Sequence, residues 1–183
     1  MAQVKSKNSP AQKFIDDFKF IQVGAIKIKK SDKEGEKAFV EFDLSDSKDD
    51  ASKSRVLDGK GVYLWVQAEG GIRTDIIYIG MAGTTLAKRF KQQENGANGR
   101  PNGANKRPGT GSKNGDELRR RLRGRRVTLL LFAQGPMKME VFKNETITSC
   151  AATEQVLIAI AQQRGLKPKV GTWPPRKNEP DQT

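Results

Sequence analysis

Two short runs of β-branched and aromatic residues, Val62 to Val66 and Asp75 to Ile79, stand on either side of Glu69-Gly70-Gly71. Nothing else in the 183-residue chain limits its fold as strongly. Branching at Cβ and aromatic bulk favour a pleated strand over a helix, and each run has strand length. Glycine at the reversal tolerates the backbone angles of a tight turn. The two runs therefore predict an antiparallel hairpin, with Gly80 read as the end of its second strand.

Around the hairpin the pattern is mixed. Ser9-Pro10 opens a short helix through Phe14, Ile15 and Phe18, with proline in the first turn. Lys37 to Leu44 alternates as a strand, and Asp43 to Lys60 reads as a polar connector. Gly83-Thr84-Thr85 leads into a helix carrying Leu86, Arg89 and Phe90, capped by Thr84 or Thr85. Residues 94–115 hold six Gly, five Asn and two Pro, and read as a long surface loop. A short basic helix from Asp116 to about Arg123, a buried strand from Val127 to Ala133 and a further strand from Met139 to Phe142 follow. Ile147 to Gln163 reads as an apolar helix closed by Gly165. The expected class is α+β: a small antiparallel sheet of about three strands, flanked by helices, with a basic loop–helix insertion and an N-terminal extension.

Charge narrows the partners. The formal net charge is +13, and Lys88 to Arg126 alone carry thirteen Lys/Arg against three Asp/Glu. A solvated charged face is one reading of such a run. A phosphate backbone explains its one-sidedness better, because each cation set against a phosphate releases a counterion. The chain has no histidine and one cysteine, Cys150, read as a buried core thiol. That excludes intrachain disulfides, cysteine or histidine zinc sites, and every histidine-based triad or dyad. Any catalysis must use Tyr, Glu, Asp, Lys, Arg or an oxygen-held metal. The longest apolar run, Val127 to Ala133, is too short to span a bilayer, and the polar N-terminus lacks a signal peptide's apolar core. The expectation is a cytoplasmic protein with no membrane partner.

Gly61-Val62-Tyr63, fourteen residues, Tyr78-Ile79-Gly80, then Arg89 on the next helix and Glu154 on a late apolar helix resemble the GIY-YIG nuclease superfamily. The likeness covers residues 59–171. It implies a three-stranded sheet flanked by helices that cuts phosphodiester bonds with one divalent metal, Mg²⁺ (or Mn²⁺). By resemblance Tyr63 activates the attacking water and Tyr78 stands beside it. Arg89 grips phosphate oxygens, Glu154 binds the metal, and Gly80 leaves room for the backbone to approach the substrate. Glu154 is also notable physically: it is the only acidic residue between Thr146 and Gly165, in a stripe with Leu157, Ile158 and Ala161. A carboxylate there is costly unless it holds a cation or is paired, for example with Arg89.

Two positions depart from the family pattern. Gln93 stands where a histidine is frequent, and Gly171 where an asparagine is frequent. The layout, with basic material interrupting residues 59–171 at 94–126, is most similar to the small type II restriction endonucleases of the superfamily. The expected function is then site-specific cleavage of double-stranded DNA by a homodimer on its site. The expected DNA contacts are Lys88, Arg100, Lys106, Arg107, Lys113, Arg119, Arg120, Arg121, Arg123, Arg125 and Arg126. Residues 1–58 form an extension of DNA-binding or dimerisation type, and 172–183 a polar tail. The alternatives are a repair or mobile-element nuclease that recognises DNA structure, and a non-catalytic nucleic-acid binder on the same scaffold.

Overall fold

The two hydrophobic runs pair as a hairpin, and it is longer than the runs themselves. In the computed structural model, which describes residues 9–29, 39–47, 49–98, 118, 121, 122, 127–142 and 145–168, β3 (Gly61–Glu69) pairs antiparallel with β4 (Ile72–Ala82). Gly70 and Gly71 make the turn at positive φ, 56° and 83°, where a side chain would be strained. Gly80 does not end the second strand; it lies inside β4, paired with Tyr63.

The sheet has five strands, not about three, in the order β2-β1-β5-β3-β4, with every neighbouring pair antiparallel. The additions are β1 (Ile21–Lys29) and β2 (Phe39–Asp43), while β5 (Val127–Gln134) is the expected buried strand. Gly24 lies at a register shift in β1, where a Cβ would stand 2.2 Å from the Asp43 carbonyl oxygen. That glycine interrupts the alternation a strand normally shows. The polar connector after β2 holds a 3-10 turn, Ser45–Ser47, and the helix α2 (Ala51–Asp58). Asp50 caps α2 by accepting from the Ser52 and Lys53 amides.

Helices cover both faces. α1 (Pro10–Asp17), capped by Ser9, and α4 (Cys150–Gln163) pack on the side of Val62, Leu64, Val66, Ile76 and Ile79. α2 and α3 (Leu86–Ala97) pack on the side of Tyr63, Trp65, Tyr78, Leu129 and Leu131. Gly165 closes α4 at φ 77°, with Leu166 N–H bonded to Ala161 O as in a Schellman cap. α4 starts later than its apolar run implies: Ile147 belongs to β7 (Glu145–Thr148), which pairs with β6 (Lys138–Phe142) in a separate ribbon. No helix among the described residues is long and apolar enough to cross a membrane.

α3 crosses the sheet and ends on the free edge of β2. Asn98 pairs with Val40 as a strand would, accepting from its N–H at 2.9 Å and donating to its carbonyl at 2.8 Å. Glu94 accepts from the Phe42 N–H at 3.0 Å. The exposed edge is thereby satisfied by side chains. Asn98→Ala strands both Val40 groups and is expected to cost about 1–3 kcal/mol in a denaturant titration. An unchanged midpoint would mean that water replaces the pairing freely.

Candidate active site

Cross-strand partners share a face, so Tyr63, Trp65, Tyr78 and Gly80 all point to the α3 side of the hairpin. The Tyr63 and Tyr78 ring centroids are 5.9 Å apart, and Tyr78 lies 4.9 Å from Trp65. Phe90 meets Tyr63 edge-on at 5.2 Å. A Cβ on Gly80 would stand 2.6 Å from Cζ and Oη of Tyr63 and from Cε1 of Tyr78. The glycine therefore accommodates the two phenol rings. Gly61 serves the backbone: a Cβ there would lie 2.1 Å from the Gln134 carbonyl oxygen on β5.

α3 delivers the polar groups. Thr85 caps it, accepting from the Lys88 amide, while Leu86 and Phe90 are buried beneath. Arg89 lies between those anchors and donates from Nε to the Tyr63 hydroxyl at 3.4 Å. One turn further, Gln93 donates from Nε2 to the same oxygen at 2.6 Å. Sequence reading placed Gln93 only as a departure from a family pattern. Its contact was legible in principle, since residues four apart on a helix share a face.

The electrostatics are uneven. Tyr63 is fully buried, and burial pushes its phenol well above the usual range, with Tyr78 adding to the rise and Arg89 opposing it. The resting Tyr63 is a neutral phenol. Burial works against the Arg89 charge, and the neighbouring Tyr63 and Tyr78 oppose that effect, leaving the guanidinium raised from its ordinary value.

Glu154 approaches from the opposite layer. Ser149 caps α4, and Thr153, Leu157, Ile158 and Ala161 are buried around it. Glu154 is half-buried; burial raises its carboxyl, and Arg89 pulls it back. No direct ion pair with Arg89 forms among the described residues, so the salt-bridge alternative lacks its contact. Arg89 thus acts electrostatically on Glu154 while touching Tyr63, and relates groups carried by opposite layers of the fold. No group of three or more His, Cys, Asp or Glu gathers as a metal cage among the described residues. A single half-buried carboxylate fits a hard divalent ion that keeps most of its waters.

Of the remaining predicted contacts, Lys88 is exposed on α3. Arg121 is partly buried and acts on Asp75 of β4, whose carboxyl is raised by burial and lowered by that arginine. The adjacent Leu118 is buried in the same apolar cluster as Tyr63 and Tyr78. Arg100, Lys106, Arg107, Lys113, Arg119, Arg120, Arg123, Arg125, Arg126 and Gly171 lie outside the described residues. Cys150 is half-buried at the start of α4 and not a fully buried core thiol, because the first turn of that helix is only partly covered.

No family model matches the sequence, and no curated protein matches it. Two solved structures are similar in fold. One is a mutant of bacteriophage T4 EndoII, with TM-score 0.48 and 12% identity, covering 83% of this chain and 95% of that one. The other is the restriction endonuclease HPY188I in complex with product DNA, with TM-score 0.33 and 17% identity, covering 92% of this chain and 95% of that one.

Proposed function

We propose that this chain is a divalent-metal-dependent endonuclease of the GIY-YIG kind that cuts double-stranded DNA at a specific site, as type II restriction enzymes do. The observation that carries the reading is the placement of Arg89, bonded to Tyr63 and acting on Glu154. With Tyr78 these groups are two phenols, a cation and a carboxylate, carried by four elements. In a chain without histidine, proton transfer falls to groups of these kinds.

In this reading Tyr63 Oη accepts a proton from the attacking water. Donation from Arg89 and Gln93 to Oη stabilises the phenolate that step requires. Arg89 steadies the phosphate oxygens as charge builds on them, its five N–H donors allowing more than one partner. Glu154 is the residue that would hold Mg²⁺ or Mn²⁺, which when bound stabilises the leaving oxygen. The basic segment 94–126 holds the duplex, and two copies of the chain cut its two strands.

The test is cleavage of plasmid and phage DNA with Mg²⁺ and with chelator, followed by sequencing of the ends. Recurring ends at one short sequence, formed only with the metal, are expected. The groups facing Tyr63 are Arg89 and Gln93 from α3 and Tyr78 from β4. Because burial keeps the phenol neutral near pH 7, the phenolate fraction grows about tenfold per pH unit below its pKa. The single-turnover rate should therefore climb between about pH 7 and pH 9 without an alkaline decline. A flat profile would remove Tyr63 as the base. Cuts at junctions or lesions would replace sequence specificity by structure specificity, and no cleavage of any DNA would overturn the enzyme reading.

A further inference from the structure

Gln93 holds the Tyr63 oxygen more closely than Arg89 does, at 2.6 Å against 3.4 Å. Its other end is unsatisfied: Oε1 is buried and has no hydrogen-bond partner among the described residues. A buried acceptor left unpaired costs about 1–3 kcal/mol, and such atoms call for an explanation. A carboxamide carries a donor and an acceptor on one tip, exchanged by a half-turn of the amide. The donor end suits a phenolate or a phenol whose oxygen accepts, and the acceptor end suits a phenol that donates. Arg89 beside it can only donate.

We propose that Gln93 is a positioning residue for Tyr63: its amide holds the phenolic oxygen in both protonation states, giving Nε2–H to the phenolate or to an accepting phenol, as in the structure, and turning Oε1 to a phenol that donates. Oε1, idle in the orientation seen, then gains a partner in the other. The amide also follows the proton without a charge of its own, so it adds no repulsion to Arg89. The catalytic consequence rests on the nuclease reading above. The grip on the phenol does not.

The chain has two tyrosines, Tyr63 and Tyr78, so protein labelled at tyrosine Cζ gives two carbon signals, both from this site. Tyr78→Phe identifies which belongs to Tyr63. In Gln93→Met, which keeps length but has neither amide donor nor acceptor, the Tyr63 signal should move at neutral pH while the Tyr78 signal stays. On DNA the same variant should lose about 10–100-fold in kcat with KM unchanged. Gln93→His, which also offers a donor and an acceptor, should recover both readouts to within several-fold. Gln93→Leu, which also lacks the amide, is the second variant should Gln93→Met fold poorly, with the same outcomes expected. A Tyr63 signal unmoved in the variants that lack the amide would overturn the proposal, as would full cleavage by them. A moved signal in a parent protein that cuts no DNA supports the grip on Tyr63 and overturns the nuclease reading alone.

Discussion

Glu154→Gln should lose at least about 10³-fold in cleavage rate and yet melt no earlier than the parent at neutral pH without metal. The two effects share one cause. Glu154 is half-buried in an apolar surround, and burial lifts its carboxyl above the ordinary range. A carboxyl raised in the folded state contributes stability below its unfolded pKa, and that contribution is lost as pH rises through the folded value. At pH 7 the folded protein therefore carries the charge at a cost, which the amide removes. The difference between the two proteins should vanish in acid, where both side chains are neutral. Mg²⁺ should raise the parent's melting temperature and leave the variant's unchanged, since only a ligand bound to the folded state stabilises it. A structural salt bridge predicts the opposite sign, with Glu154→Gln melting earlier at neutral pH. Retained cleavage by the variant would remove Glu154 as the metal residue.

Gly80→Ala and Gly61→Ala should fail differently, although the two glycines face each other's strands in one hairpin. At Gly61 the new Cβ would overlap a backbone oxygen at 2.1 Å. β3 must then part from β5, and a loss of about 3 kcal/mol or more is expected in a denaturant titration. At Gly80 the clash at 2.6 Å is with the Tyr63 and Tyr78 rings. Phe90 and the rest of the α3 contact hem Tyr63 in, so its Oη is displaced from Arg89 and Gln93. A misplacement on the scale of 1 Å costs about 10²-fold in rate, with a stability loss of about 1–3 kcal/mol. Cleavage and denaturation measured on the same preparations separate the two. A fully active Gly80→Ala would show that the phenols need no such fit.

Whatever depends on residues near one another in the chain was legible in the sequence. The hairpin with its glycine turn, the helix opened at Ser9-Pro10, a threonine cap on α3 (Thr84 or Thr85 by sequence, Thr85 in the structure) and the Gly165 stop follow from side-chain shape and local hydrogen bonding. So did the residue types of Tyr63, Tyr78, Arg89 and Glu154 in their order. β1 was hidden because its alternation breaks at Gly24, a residue required by the distant Asp43 carbonyl. α2 was hidden because Leu57 is its one buried residue, too few to mark a face. Ile147 looked helical because an apolar residue beside an apolar helix carries no sign of which element claims it; pairing with Met139 decided that.

Tertiary structure alone decided that β1 lies between β2 and β5, that Gly80 makes room for phenol rings, that Glu154 forms no direct ion pair with Arg89, and that Gln93 grips Tyr63. Each depends on atoms brought together from distant parts of the chain. The tripeptides at 61–63 and 78–80 mark two strands by themselves; the space around each atom is set by the layers packed against them.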